Sequence, residues 1–359
     1  MRVLVTGMTN SHCGVGNYWA RNYTLVDAMK SALADSGHQV ECRRVRPTER
    51  LDEYDFVWWG FHSLESFSSR NMVPALAVYK RILAEGRPHV AFVDDWRLAD
   101  MSHSVNTVTR SRLSFAKRYR AMQSHTHRSY WKKHFDELWQ FLHQVKKSGM
   151  GPVAAPMFPW GDDQLFLDRF PLASRVIRLD YTPYVDVPVA APYDQSGWLG
   201  GAKQECWVYA ALYSHDAWLL KTMKRLSWPV LRIGPRKRLQ GGRGRSPGIK
   251  GTERDVAQVM AESWGTLCPP YNHAGCGMAR TRFPLAARAR SAVLCDPREA
   301  EPMGTPYRSV AANPERFERM SAAEKRRVAD DQAEWFLEHT WTKERFAKAL
   351  TDTMERRVK

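Results

Sequence analysis

Arg2-Val-Leu-Val-Thr-Gly7, then Tyr23-Thr-Leu-Val-Asp-Ala-Met-Lys-Ser-Ala-Leu-Ala-Asp-Ser-Gly37, then His38-Gln-Val-Glu-Cys-Arg-Arg-Val45: these three stretches decide the fold. The first is an apolar run of strand length. The second carries apolar residues at helical spacing and stops at a glycine suited to a helix C-cap, and the third reads as another strand. Between the first two lies a small-residue loop, Thr9-Asn-Ser-His-Cys-Gly-Val-Gly16. Strand, loop, helix, strand is the repeating unit of a doubly wound parallel sheet.

The pattern continues through the strand Asp55-Phe-Val-Trp-Trp-Gly60, a helix over 73–86 and the strand His89-Val-Ala-Phe-Val93. Each strand is nearly all apolar, as expected where helices cover both faces of a sheet. From Gly149 to Tyr193 seven prolines interrupt short apolar pieces such as Ser174-Arg-Val-Ile-Arg-Leu179, and a hinge is expected near 182–195. Alternation then resumes: strands at 205–212, 229–234, 265–268 and 291–295, helices at 215–226, 253–262 and 281–290. The segment from Ser321 onward is helical with mixed charge. The expected organisation is an α/β chain of two Rossmann-like domains. Residues 1–188 form the first, with a basic insertion at 103–149, and residues 189–330 form the second. A terminal helix at 331–359 returns to the first domain.

The chain has 359 residues, 54 Lys+Arg and 38 Asp+Glu, a formal net charge of +16. With 43% hydrophobic residues it can bury two cores, which excludes a disordered tail. No apolar run approaches the roughly 20 residues of a membrane-spanning helix, and the amino terminus lacks the apolar core of a signal peptide, so no membrane partner and a cytoplasmic location are expected. The six cysteines are widely spread and are expected to be free thiols. Cys268-x4-His273-x2-Cys276 offers three metal ligands without a fourth, and no metal site is expected. Gly7, Gly14 and Gly16 do not have the G-x-G-x-x-G spacing, which argues against a dinucleotide cofactor.

Val90-Ala-Phe-Val-Asp-Asp-Trp-Arg-Leu98 places Asp94 and Asp95 at the carboxyl end of a buried strand, where open α/β sheets bind ligands. A carboxylate there can act as general base toward an acceptor hydroxyl; capping or an ion pair with Arg97 is the structural alternative. The stretch Phe92-Val-Asp-Asp-Trp-Arg-Leu98 resembles the corresponding strand end of the T-even phage DNA glucosyltransferases, in which an aspartate followed by hydrophobic-Arg-Leu supplies the base. In this sequence the match falls on Asp95, Trp96, Arg97 and Leu98. The resemblance extends in order over most of the chain. It implies a GT-B glycosyltransferase: two Rossmann-like domains facing across a cleft, with the carboxyl-terminal helix packing back on the first. It also implies a nucleotide-sugar, usually UDP-linked, as co-substrate, hydroxymethylated bases in duplex DNA as acceptor, and a phage enzyme working in the cytoplasm of an infected bacterial host.

In the second domain, Cys268-Pro-Pro-Tyr-Asn-His-Ala-Gly-Cys-Gly-Met-Ala-Arg-Thr-Arg282 is a strand-to-helix loop of small residues. Its N–H groups and the following helix amino terminus favour a diphosphate, with Asn272, His273, Gly275, Arg280 and Arg282 as candidates. The family places an arginine at this helix start, matched by Arg282, and a glutamate one turn later for the ribose. This chain has Leu285 and Ala286 there, so Glu299, after Asp296-Pro-Arg298, is nominated in its place. Ser214 and His215 form a second phosphate candidate, equally readable as helix caps, and Arg236 follows the next strand. Gly14 and Gly16 would allow a substrate to approach the backbone closely.

Residues 103–149 hold ten cations: Arg110, Arg112, Lys117, Arg118, Arg120, Arg128, Lys132, Lys133, Lys146 and Lys147, against Asp136 and Glu137. Aromatics including Tyr119, Tyr130 and Trp131 interleave with them. Residues 232–250 add seven more with no acid, Arg243 and Arg245 among them. Clustered cations suit phosphate contacts, and a base to be glycosylated inside a duplex must be extruded. The expectation is therefore an inverting transfer to a 5-hydroxymethylpyrimidine in DNA by a monomer. No cofactor is obligatory, and a divalent metal is at most stimulatory. Two alternatives stay open: a GT-B enzyme with a non-DNA acceptor, and a non-catalytic DNA-binding protein on the same scaffold.

Overall fold

Val3, Leu4 and Val5 are fully buried, as an apolar run covered on both faces must be. The computed structural model describes residues 1–7, 21–43, 45–46, 48–61, 69–93, 143–151, 153–154, 164, 167, 173–177, 203–210, 217–233, 253–269 and 282–358. Two compact units divide the chain. One comprises Met1–Pro156, Asp162–Asp180 and Thr342–Lys359, the other Met157–Gly161 and Tyr181–Trp341.

The first unit opens with β1 (Arg2–Gly7), α1 (Arg21–Asp35), β2 (Gln39–Cys42), β3 (Phe56–Phe61), α2 (Ser69–Ala84) and β4 (His89–Val93). Two short strands, β5 (Val153–Ala154) and β6 (Arg175–Val176), complete a sheet of order β2-β1-β3-β4-β5-β6, parallel at every pairing. Both helices end the same way. Gly37 at φ +82° and Gly86 at φ +63° take the left-handed turn, and His38 N–H and Arg87 N–H reach back to the carbonyls of Leu33 and Ile82. Alternation along β3 sends Trp59 onto the ring of Tyr79, centroids 4.3 Å apart, while Trp58 meets Phe56 and Phe92. Gly60 lies under the Phe92 ring, with no room for a Cβ.

The second unit runs β7 (Gln204–Ala210), α3 (Ala217–Met223), β8 (Val230–Ile233), α4 (Glu253–Ala261), β9 (Ser263–Cys268), α5 (Arg282–Arg288) and β10 (Ala292–Cys295). The helices α6 (Pro297–Met303), α7 (Thr305–Ala312), α8 (Pro314–Arg319) and α9 (Ala322–His339) follow. Its parallel sheet has the order β10-β9-β7-β8. Gly265 in β9 faces Trp207 in β7, whose ring occupies the space a Cβ would need. The indole Nε1–H donates to Glu318 at 2.8 Å, and this buried carboxylate also accepts from the N–H groups of Ser227 and Trp228. Gln332 closes the outer side of edge strand β10: Val293 N–H donates to its Oε1 at 2.6 Å and its Nε2–H donates to Val293 O at 3.3 Å.

The terminal segment, read from the sequence as one helix over 331–359, is two. α9 packs on β10 within the second unit, while α10 (Lys343–Val358) packs on α1 and β4 within the first, burying Phe346, Leu350 and Met354. The break falls at Thr340, which has extended backbone, and Trp341, where helical periodicity of the apolar residues gives no signal. The short strands β5 and β6 also escape the sequence pattern, since two residues carry no period. No helix among the described residues is long and apolar enough to cross a membrane.

Candidate active site

Parallel pairing fixes where functional loops can start: every strand of a parallel sheet ends at the same edge. In the second sheet the chain moves outward in opposite directions from the β7/β9 pair, which makes that pair the switch point where such sheets bind ligands. β7 ends at Ala210 and β9 at Cys268. Ser214 and His215 come four and five residues after the first, and Asn272, His273, Gly275 and Arg280 follow the second. β8 ends at Ile233, three residues before Arg236, and β10 at Cys295, four before Glu299. All the residues nominated for the donor thus follow strand ends on one edge of one sheet.

Two of them fall within the described residues. Arg282 is the first residue of α5, which puts its backbone at a helix start just beyond the β9 loop. Glu299 lies in the first turn of α6 and is buried, close enough to Cys295 to act on its thiol. Leu285 and Ala286, where the family pattern has its ribose glutamate, are core residues. Ser214, His215, Arg236, Asn272, His273, Gly275 and Arg280 lie outside the described residues.

Between β10 and α6 the sequence reading passed over Asp296, which caps the helix. Its Oδ1 accepts from Arg298 N–H at 2.9 Å and Nε–H at 3.0 Å, and Oδ2 from Nη2 at 3.0 Å. Burial alone would raise this carboxyl, but the Arg298 hydrogen bonds and charge hold it below its ordinary value. An Asp-Pro pair directly after a strand is the sequence signal that identifies such a cap. Cys268 and Cys295 sit side by side in register at the ends of β9 and β10, both fully buried and neither in a disulfide. Burial, together with the nearby Glu299, pushes the Cys295 thiol well up. Buried in apolar surroundings, this thiol serves packing. Among the described residues no group of three or more His, Cys, Asp or Glu could hold a metal ion.

In the first sheet the switch point is the β1/β3 pair, with β4 next to β3. Asp95 comes two residues after Val93, the end of β4, and Gly14 and Gly16 follow the end of β1 at Gly7. These three lie outside the described residues, as do Arg110, Arg112, Lys117, Arg118, Arg120, Arg128, Lys132, Lys133, Arg243 and Arg245.

No protein-family profile and no curated protein sequence matches the chain. Solved structures do. The T4 phage β-glucosyltransferase in complex with UDP and Mn2+ matches with a TM-score of 0.59 at 10% identity, covering 99% of this chain and 100% of that one. This chain shares its fold. The same T4 enzyme with its UDP-glucose substrate gives 0.56 at 9% identity, again over 99% and 100% of the two chains. A structure of the DNA-modifying enzyme β-glucosyltransferase, studied with and without uridine diphosphoglucose, gives 0.53 at 9% over the same shares. The mixed α/β architecture with two parallel sheets is thus that of the GT-B type, and at such identities it is the fold that is shared.

Proposed function

We propose that this protein is a GT-B glycosyltransferase that moves a sugar from a UDP-linked donor to the hydroxymethyl group of a 5-hydroxymethylpyrimidine in duplex DNA. The observation that carries the reading is the convergence of the donor candidates. The stretches holding Ser214–His215 and 272–282 leave neighbouring strands at the switch point of the second sheet, within a fold shared with an enzyme whose substrate is UDP-glucose.

The chemistry assigned to this chain is an inverting displacement. The Asp95 carboxylate takes the proton of the acceptor hydroxyl as its oxygen attacks the anomeric carbon; the bond from that carbon to the β-phosphate oxygen breaks, and UDP departs with the electron pair. Arg282 and the backbone of the 272–277 loop offset the charge that develops on the leaving diphosphate, with Ser214, His215, Arg236 and Arg280 around it. Glu299 takes the ribose role that Leu285 and Ala286, buried in the core, cannot fill. The basic set in 103–149, with Arg243 and Arg245, holds the DNA backbone while the target nucleotide is extruded. A phage origin and a monomeric enzyme in the cytoplasm of an infected bacterium belong to the same reading. A divalent ion would assist UDP release; the described residues alone do not make a site for one.

The test is UDP release from UDP-glucose, measured with duplexes containing cytosine, 5-hydroxymethylcytosine or 5-hydroxymethyluracil. Release that depends on a hydroxymethylated base supports the reading. Release driven equally by unmodified DNA or by water would reject a DNA acceptor, and DNA binding without release from any nucleotide-sugar would point to a non-catalytic DNA-binding protein.

A further inference from the structure

The basic insertion leaves the first sheet after β4 and rejoins it at β5, which pairs with β4 through two residues only, Val153 and Ala154. So short a ladder fixes its own register weakly. Just before it the chain makes a π-helical turn, Lys146–Met150, broken at Gly149 with φ +78°. The carbonyls at the end of that turn have no partner within it and must be satisfied from outside.

Two distant segments supply the donors. Ser174 Oγ–H donates to Gly151 O at 2.9 Å, from the approach to β6. Arg357, in the last turn of α10, donates from Nη1 to Gly149 O at 3.2 Å and from Nη2 to Gly151 O at 3.5 Å. The guanidinium thus spans two carbonyls two residues apart, and its charge complements the carboxyl end of a helical turn. The same helix packs on β4, the strand from which the insertion departs.

We propose that Arg357 is a positioning residue for DNA binding: it pins the backbone where the basic insertion re-enters the sheet. This rests on the reading of 103–149 as the DNA-contacting segment. Fixing the backbone at one end of that segment helps to set where its cations can meet a duplex, so the anchor acts on DNA affinity and leaves donor binding alone.

The experiment compares the full-length protein with Arg357→Gln and Arg357→Lys, after melting curves establish that all three fold. Hydrogen exchange over 145–154 reads the anchor itself, and fluorescence anisotropy with a hydroxymethylated duplex reads DNA affinity. In both variants exchange over that stretch should quicken, and DNA affinity should fall about tenfold, the worth of one hydrogen bond from a charged donor. The KM for UDP-glucose should not move. Lysine keeps the charge but cannot span both carbonyls, so wild-type affinity in Arg357→Lys would overturn the proposal in favour of a plain charge contact. Unchanged exchange, or faster exchange with unchanged affinity, would also overturn it. Should the wild-type protein bind no duplex, the DNA reading fails, and the anchor is still decided by the exchange measurement.

Discussion

Among the described residues, the polar side chains buried in the strands of the first sheet, Thr6 and His89, are uncharged, whereas beside the second sheet charged groups such as Arg290, Asp330, Glu318 and Lys325 are buried along with neutral ones. His89, at the start of β4, donates from Nδ1–H to Arg87 O at 2.6 Å, and its buried Nε2 accepts no hydrogen bond among the described residues. Its ring meets Tyr79 edge-on, which in turn stacks on Trp59. At the equivalent end of β10, Arg290 is 8% exposed and pairs with Asp330, 1% exposed, at 2.7 Å. Lys325 is as deeply buried, paired with Glu205 at 2.8 Å and 4.5 Å from the ring centre of Trp228. Two sheets with similarly ordered parallel strands are thus stabilised by different chemistry. Beside the first, burial keeps an imidazole from taking up a proton; beside the second, buried Arg290 and Lys325 are held in ion pairs.

Arg290 makes the contrast sharpest. α1 and α2 end on glycines in the left-handed turn, whereas α5 ends with Arg290 at φ 46° making the same pair of turn hydrogen bonds. That conformation costs a non-glycine residue about 1–2 kcal/mol, which the ion pair with Asp330 offsets. Asp330→Ala should therefore have the largest effect, about 3–5 kcal/mol lost in chemical denaturation, because it leaves a buried guanidinium in a strained turn with only the longer pair to the exposed Glu334, at 3.5 Å, among the ion pairs of the described residues. Adding Arg290→Gly should recover most of that loss, and a double mutant no more stable than Asp330→Ala would break the argument.

Next in size are the two glycines beneath aromatic rings. Gly265→Ala should cost about 2–3 kcal/mol, since the Trp207 ring above it is tied to Glu318 and cannot yield. Gly60→Ala, beneath a Phe92 ring with no polar tether, should cost about half as much. Equal losses would show that the Glu318 bond does not hold the indole.

Acid should distinguish the units more gently. Burial lowers the pKa of both His38 and His89, with the Met1 ammonium adding to the effect at His38 and the Arg357 charge at His89. The neutral rings therefore cost nothing above about pH 6.5, the unfolded value. Below it the unfolded chain takes up protons that the folded unit resists. Stability should fall by up to about 1.4 kcal/mol per pH unit for each ring until the folded values are reached. Hydrogen exchange at pH 7.5 and pH 5 should show the loss in β2 and β4, and His89→Gln should flatten it. The smallest effect is expected at the capping box of α9, where Ser321→Ala should cost about 1 kcal/mol in thermal melts.

Much of this was legible in the sequence because strands such as β1, β3, β4 and β10 contain apolar runs, and helices such as α1 and α2 end at a glycine, whereas β5 and β6 are too short to carry a pattern. Gly37 announces the end of α1, whereas Arg290, doing the same work for α5, announces nothing, because its partner Asp330 is forty residues away. Gln332 and Glu318 were hidden for the same reason: edge covering and indole tethering are long-range contacts with no local spacing. For the candidate site, the sequence nominated residues and the fold supplied their common edge. The proposed ribose contact was the least readable part, since the position it has in the resembled family falls here on the core residues Leu285 and Ala286, and Glu299, proposed in its place, follows another strand.

The most direct test of the central claim is a mass measurement on nucleosides. Duplex DNA carrying 5-hydroxymethylcytosine or 5-hydroxymethyluracil is incubated with a panel of nucleotide-sugars and the protein, then digested and weighed. A sugar-sized increment on the hydroxymethylated nucleoside, lost in Asp95→Ala while DNA and UDP binding persist, is the predicted result. No increment with any donor, or an undiminished one in Asp95→Ala, would contradict the account.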